Sequence, residues 1–251
     1  MKQTLYMYAM TCDTNFAPCI QNQFLTLACC KGGKKGGMRG SIGGLFRRIK
    51  ENQSDEEIWV LGVCGKGLKN EVKLLEDDYI PIFMAKVTNV LDMVEYYQNK
   101  DYSIRADHAA YTVDKDKKLI AVKDEKLNPH SKYDEAIEKD INGKYVLCSD
   151  EFLYFGKSHR AEAETFKREL PDYFFDSSKG DINKAGIDKH CRGYIIYDDF
   201  ECVNSKWRKF FDCYKTTLMT ANDHDHLLEE FIPDMKDNEA DVHRCSCAGG
   251  K

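Results

Sequence analysis

The run KYVLCSDEFLYFG, residues 144–156, places two apolar segments next to each other with only a short polar break between them. Residues 144–150 and 151–156 are each of strand length and rich in residues that strands favour. Other strand-like segments also come in clusters and do not alternate regularly with helices. This arrangement predicts an α+β fold and argues against a doubly wound parallel sheet.

Elsewhere in the chain, apolar runs bounded by turn residues predict further strands at 4–10, 24–30, 58–65, 80–91, 117–124 and 193–200. Helical spacing predicts a helix after Ser41, one capped by Asp92 and one that Pro171 ends. The most amphipathic helix covers residues 203–219. We expect its aromatic stripe to pack in the core, and the stripe consists of Trp207, Phe210, Phe211 and Tyr214.

The bulk composition bounds the class of protein. The chain has 251 residues, a formal net charge of -5 and a sequence pI near 5.8. Proteins that coat nucleic acid without sequence preference are usually basic, so any nucleic-acid contact here must be local. No apolar run reaches the roughly 18 residues of a membrane span, and the start shows no secretion signal. With 11 cysteines, an odd number, we expect a cytoplasmic protein with reduced thiols.

Residues 31–50 form a glycine-rich basic segment with seven basic residues and no acidic one. Lys31 and Arg39 belong to it. Backbone N–H groups of a glycine-rich loop can approach an anion, and a helix that follows adds its dipole. The segment therefore predicts phosphate binding, although it does not match a Walker loop. A solvated basic loop is the alternative.

Two further segments carry polar side chains suited to chemistry. In RADHAAY, residues 105–111, Arg105 could clamp a phosphate and His108 could move a proton near neutral pH. An ordinary polar turn is the alternative there. In the opening run, Asp150 and Glu151 could read a base or act as acid or base, and Tyr154 and Phe155 could stack a base. The alternative is a turn followed by core aromatics.

Possible metal ligands occur in the acidic C-terminal part and at the adjacent Cys29 and Cys30. HDH at 224–226 and HRCSC at 243–247 lack a standard zinc spacing, so we predict no metal site from His224, His226, His243, Cys245 and Cys247. The sequence leaves the cofactor unknown. We expect residues 217–251 to be an acidic extension, flexible in solution, that follows one domain over residues 1–216.

Several motifs together resemble the second of the nucleotide-modification-associated domain families. DTNFAP at 13–18 and TLACCK at 26–31 match the start of its pattern, with Asn15 in place of a glycine. IWVLGVCGKGL, IPIFMAKVTNVLDMVEYY and GKYVLCSDEFLYFG match later segments, and HCRGY places Arg192 at an Arg-Gly pair of the family. The resemblance covers roughly residues 4–215.

The resemblance implies a phage or bacterial protein linked to base hypermodification of DNA or to defence. It also implies a strongly curved mixed sheet or a small PUA-like barrel flanked by helices, with a pocket for a modified base. In such a pocket Phe16, Tyr154 or Phe155 would stack the base and Asp13, Asp150 or Glu151 would read it. Lys31, Arg39, Arg105 and Arg192 would contact the nucleotide.

Three functions follow as hypotheses. The first is binding of DNA or a nucleotide that carries a modified base. The second is an enzyme, such as a transferase or glycosylase, that uses Asp13, Asp150 or Glu151 as acid or base with help from His108. The third is a structural or interaction protein, for which these polar residues would share no pocket. The sequence leaves the oligomeric state open.

Overall fold

The computed structural model of the chain describes residues 3–10, 13, 18–21, 23–27, 57–64, 68, 80–99, 111–123, 137, 141, 145–171, 194–198 and 205–218, with the backbone alone for 8, 9, 21 and 194–198. These residues form helices together with mixed and antiparallel sheets, which confirms the α+β prediction. The chain divides into two compact units. The first comprises Met1–Asp13, Asp55–Thr88 and Ser149–Leu227, and the second Thr14–Ser54, Asn89–Cys148 and Leu228–Lys251.

The elements of the described residues follow one another along the chain in this order. The strands are β1 (Gln3–Met10), β2 (Cys19–Gln21), β3 (Phe24–Leu27), β4 (Glu57–Cys64), β5 (Pro81–Lys86), β6 (Asn89–Asp92), β7 (Tyr111–Val113), β8 (Leu119–Ala121), β9 (Tyr145–Ser149), β10 (Glu151–Tyr154) and β11 (Tyr194–Asp198). The helices are α1 (Met93–Gln98), α2 (Arg160–Glu169) and α3 (Lys206–Leu218).

The first unit contains a five-stranded mixed sheet with the strand order β10-β5-β4-β1-β11. β1 and β4 are parallel, and the other neighbouring pairs are antiparallel. β1, β4 and β10 therefore run in the same direction. We call the side where these three strands end the carboxyl end of the sheet, and the side where they begin its amino end.

Helices α2 and α3 lie against one face of this sheet. Alternate residues of the strands, such as Leu5, Leu61 and Leu153, join the apolar residues of both helices in one buried cluster. At its centre the Trp59 ring meets Trp207 at 5.2 Å and Phe211 at 4.9 Å between ring centroids, both edge to face. Residues of the opposite face are buried too, which explains why β4 reads as a continuous apolar run.

The second unit contains a sheet of order β2-β3-β9-β6, in which β2-β3 and β6-β9 are antiparallel pairs, and the separate antiparallel hairpin β7-β8. α1 follows β6 directly. Asp92 caps α1, because its side chain accepts from the Glu95 backbone while the Glu95 side chain accepts from the Asp92 backbone. This capping box confirms the helix start that the sequence predicts at Asp92.

The sequence prediction of strands agrees with the structure except in three places. The strand predicted over 80–91 is two strands, and the chain passes from the first unit to the second between Thr88 and Asn89. β2 and β7 were not predicted, because three residues are too few to show an alternating pattern. The helix predicted after Ser41 lies outside the described residues.

The described strands also limit the barrel prediction. In both larger sheets each of the two outermost strands pairs with a neighbour on one side only, so no sheet closes into a barrel within the described residues. α3 ends at Leu218, just inside the segment predicted as a C-terminal extension. The domain division at 216 stays a prediction. None of the helices in the described ranges is both long and apolar enough to cross a membrane.

Candidate functional site

Five of the predicted site residues lie in the described part of the chain, and they fall at opposite ends of the first sheet. Asp13 and Tyr154 lie at the carboxyl end, whereas Asp150 and Glu151 lie at the amino end. Phe155 belongs to the core. The other predicted site residues are outside the described residues: Phe16, Lys31, Arg39, Arg105, His108 and Arg192.

The Asp13 carboxylate is fully buried, with 0% of the residue exposed. It lies three residues after the end of β1. Tyr154, the last residue of β10, is 2% exposed, and its hydroxyl donates a hydrogen bond of 2.8 Å to Asp13 Oδ2. β1 and β10 run in the same direction, so the sheet brings the two residues to one end although 141 positions separate them in sequence.

Burial of this carboxylate is unusual and needs compensation. A carboxylate loses its hydration when it is buried, and only hydrogen bonds or opposite charges offset that cost. The Tyr154 hydroxyl supplies one such bond, at 2.8 Å. The pair therefore holds an acceptor group in a fixed orientation inside the protein.

Asp150 and Glu151 are at the other end of β10. Asp150 is exposed, and its backbone N–H donates to Thr88 Oγ1 at 3.1 Å. Ser149 Oγ donates to the Glu151 carbonyl at 2.8 Å, which holds the break between β9 and β10 in place. Four residues of extended chain separate Asp150 from Tyr154, about 13 Å. The structure thus does not bring Asp150 or Glu151 into one site with Asp13.

Glu151 takes part in a charged network at the amino end of the sheet, which the sequence did not predict. Lys86 Nζ lies 3.5 Å from Glu151 Oε1 and 3.2 Å from Glu57 Oε2. Glu57 Oε1 also accepts hydrogen bonds from Gln3 at 3.0 Å and from Trp59 at 2.8 Å. Neighbouring strands create these pairs, so only the strand register could have revealed them.

The pKa of Glu57 shows how this network works. Burial by itself would raise the pKa of this carboxyl. The hydrogen bonds from Trp59 and Lys86, with the charges of Lys86 and Arg208, outweigh burial and lower the pKa below its ordinary value. Glu57 is therefore held as an anion that ties strands to α3. We assign the network a structural role.

Phe155 packs against Phe166 of α2 at 5.4 Å between ring centroids and is 1% exposed. Successive residues of an extended chain point to opposite sides, so Phe155 joins the helix-covered face while Tyr154 points away from it. Its ring is therefore part of the apolar core, as the core alternative for these aromatics expects. Base stacking by Phe155 stays an untested prediction.

The second unit holds a buried polar cluster that sequence reasoning missed. Thr26 Oγ1 and the Tyr96 hydroxyl share a hydrogen bond of 2.8 Å, with Cys19 and Cys148 nearby. Burial, the adjacent thiols and Tyr97 raise the pKa of Tyr96 well above its ordinary value. Burial raises the pKa of the Cys148 thiol to about 12. These groups stay protonated at neutral pH, which suits a packed interior better than chemistry.

A metal ion would need several ligands grouped together in the described part of the chain. Within it, no three residues among His, Cys, Asp and Glu are grouped as a metal site would need. The histidines and cysteines of the C-terminal segment lie outside the described residues. The prediction about metal therefore stays a prediction.

Comparison of the chain with protein-family models, with curated proteins and with solved structures finds no match in any of the three.

Proposed function

We propose that the protein binds DNA or a nucleotide that carries a modified base, and that Asp13 is the group that reads the edge of that base. One observation carries the proposal, the hydrogen bond between the buried Asp13 carboxylate and the Tyr154 hydroxyl. The context we propose is base hypermodification or defence in a phage or bacterium, in the cytoplasm.

The chemistry of a carboxylate supports this role. A carboxylate group accepts hydrogen bonds at its oxygens, and Tyr154 donates to Oδ2 of Asp13. Amino groups on bases are donors that a carboxylate can accept from. Because Tyr154 fixes the orientation, little ordering remains for the ligand to induce, and preorganisation of this kind favours binding.

The position of the pair also supports it. Asp13 is directly followed by residues 14–18, where the sequence has Phe16, and the glycine-rich basic segment begins at residue 31. In the proposal Phe16 stacks the flipped base, while Lys31, Arg39, Arg105 and Arg192 hold phosphates. The proposal includes a strongly curved, PUA-like arrangement of strands around the base.

An enzyme is the second candidate, and the same pair is what favours it. A buried carboxylate next to a phenol can pass a proton in a site that excludes water. A transferase or glycosylase would then use Asp13 as acid or base, with His108 assisting. The two functions differ in one observable, because an enzyme changes the mass of a nucleoside and a binding protein does not.

The test uses the full chain with phage DNA that carries hypermodified bases, and with plain DNA of the same length. We expect the wild-type protein to retain the modified DNA preferentially and to leave all nucleoside masses unchanged. Asp13→Asn should abolish the preference. A mass change that Asp13→Asn removes would show that the protein is an enzyme. If the protein neither binds nor changes the DNA, the hypothesis of a structural or interaction protein is the one that remains.

Glu164→Gln is the matched control for Asp13→Asn. It makes the same chemical change on α2, where Glu164 is exposed and forms a surface pair with Arg160 at 3.6 Å. Surface pairs of this kind contribute little to stability. Asp150→Asn adds a second comparison. We expect it to bind normally, because Asp150 is exposed at the opposite end of the sheet.

A further inference from the structure

An aromatic stack emerges from the core on one flank of α3. Phe166 of α2 packs against Phe210 at 5.3 Å between ring centroids, and Phe210 stacks on Tyr214 at 4.3 Å with the ring planes 19° apart. Phe210 is partly buried, whereas Tyr214 is 40% exposed. Only part of the aromatic stripe that the sequence predicts for the core is therefore buried there. Trp207 and Phe211 are buried, and Tyr214 presents a large part of its surface to solvent.

Charge is distributed unevenly around the same helix. α3 carries four basic residues and one acidic residue, although the whole chain has a net charge of -5. The acidic residue, Asp212, pairs with Arg208 at 3.2 Å and lies 3.8 Å from Lys215 on the other flank. Helix geometry places Lys206, Phe210 and Tyr214 in one row at intervals of four, and Lys209 lies one turn from Lys206, on the side away from Tyr214.

The aromatic flank also carries two exposed lysines. Lys206 and Lys209 are both exposed, and neither forms an ion pair with a carboxylate of the described residues. The flank thus combines a supported aromatic ring with two positive charges that no carboxylate of the described ranges pairs with. Those are the two features with which proteins bind single-stranded nucleic acid, since rings stack bases and cations contact phosphates.

We propose that the flank of α3 formed by Lys206, Lys209, Phe210 and Tyr214 binds single-stranded nucleic acid. Tyr214 stacks an unpaired base, Phe210 supports the Tyr214 ring from below, and Lys206 and Lys209 hold the adjacent phosphates. An apolar partner surface would leave two lysines without a counter-charge. An acidic peptide would satisfy the lysines but would not use the ring. The strand is the partner that uses both. This site goes beyond the proposed function and does not depend on Asp13.

Fluorescence anisotropy with a short labelled oligothymidylate tests the proposal, and an abasic strand of equal length is the charge-matched probe. We expect the full-length protein to bind the oligothymidylate roughly tenfold more tightly than the abasic strand. Tyr214→Ala should remove that difference, and Tyr214→Phe should keep it. A folded Tyr214→Ala variant that still prefers the oligothymidylate would overturn the proposal.

Salt dependence tests the lysines. For a single strand, log affinity falls with log salt, and each phosphate contact adds about 0.7 to the steepness of that fall. Each lost contact therefore makes the dependence shallower by about the same amount. We expect that change for Lys206→Gln and for Lys209→Gln. Lys215→Gln removes the same charge from the other flank, where Asp212 lies close, and should leave the slope unchanged. Equal effects of all three substitutions would overturn the proposal, because they would show attraction by overall charge.

One competitor and one association measurement distinguish other partners. Polyglutamate that displaced the oligothymidylate from the wild-type protein would assign the flank to an acidic peptide. Self-association that Tyr214→Ala abolished would assign it to a second copy of the chain. Glu164→Gln, on the exposed surface of α2, should leave oligothymidylate binding unchanged, and the tests of the two sites use different DNA and different substitutions. A result confined to Asp13→Asn therefore bears on the modified-base site, and a result confined to the α3 variants bears on this one.

Discussion

At the scale of single residues, Asp13 is the most informative position in the described structure. A fully buried carboxylate is rare in proteins unless it is paired or hydrogen-bonded. Asp13 and Tyr154 were both predicted as site residues from the sequence, but no local pattern could show that they touch, since 141 positions separate them. The contact depends on β1 and β10 ending on the same side of the sheet.

The Tyr154–Asp13 hydrogen bond should contribute measurably to stability. We predict that Tyr154→Phe lowers the free energy of unfolding by about 1–3 kcal/mol, because it removes a donor from a buried acceptor. Urea denaturation measures the change. Tyr214→Phe is the matched control, and on the exposed Tyr214 it should change stability by less than about 0.5 kcal/mol. Equal effects of the two variants would contradict this account of the pair.

Gly62 allows a close approach inside the first sheet. A Cβ added there would lie 2.6 Å from Met10 Sδ and would also overlap the Phe83 ring. We predict that Gly62→Ala destabilises the protein by about 1–3 kcal/mol, measured by urea denaturation. In the Phe83→Leu background the same change should cost less, since part of the obstructing ring is gone. Additive costs would show that the ring does not limit this position.

At the scale of elements, strands are joined by polar contacts that only their register creates. Lys86 of β5 lies between Glu57 of β4 and Glu151 of β10, and Arg208 of α3 is 3.9 Å from Glu57. The Arg208 guanidinium also lies 4.9 Å from the centroid of the Trp59 ring. Glu57 therefore connects the sheet to the helix that covers it.

This connection predicts a pH dependence. The pKa of Glu57 in the folded protein is lower than its ordinary value of 4.5, so folding favours the ionised form. Its contribution to stability is complete above the ordinary value and is lost as the pH falls through the lowered pKa. We expect Glu57→Gln to flatten the acid side of a stability–pH profile measured by thermal unfolding. A variant profile parallel to that of the wild type would contradict the assignment.

The elements also show what can be predicted from sequence. Long apolar runs gave the strands around 4–10, 58–65 and 144–156 nearly correctly, because burial on both faces leaves a continuous signal. The run at 80–91 was wrong as a single strand, since an apolar pattern does not show that a chain changes sheets at Thr88. Asp150 and Tyr154 looked like one site because they are close in sequence, yet a strand separates their positions.

At the scale of the whole molecule, the prediction of an α+β fold holds, and the two units each contain buried thiols. Cys64 in the first unit, and Cys19 and Cys148 in the second, are buried, whereas Cys213 on α3 is exposed. None of these four takes part in a disulfide. Burial on this scale could be expected from the chain length, but which cysteine stays exposed could not.

The rate of thiol labelling reports the burial of individual cysteines in both units in one experiment. We predict that N-ethylmaleimide modifies Cys213 well before Cys19, Cys64 or Cys148 in the native protein, because exposure and thiolate formation control the rate. The Cys148 thiol, with a pKa of about 12, should be the slowest kind of target. Peptide mapping by mass spectrometry gives the order. Early modification of Cys148 would show that the second unit opens under native conditions.

The most direct test of the account is retention of hypermodified phage DNA by wild-type protein, Asp13→Asn and Glu164→Gln. All three must first show the same cooperative unfolding. We predict that the wild type and Glu164→Gln retain modified DNA in preference to plain DNA, and that Asp13→Asn loses the preference. A folded Asp13→Asn variant that retains modified DNA as well as the wild type does would contradict the assignment of Asp13 as the base-reading residue.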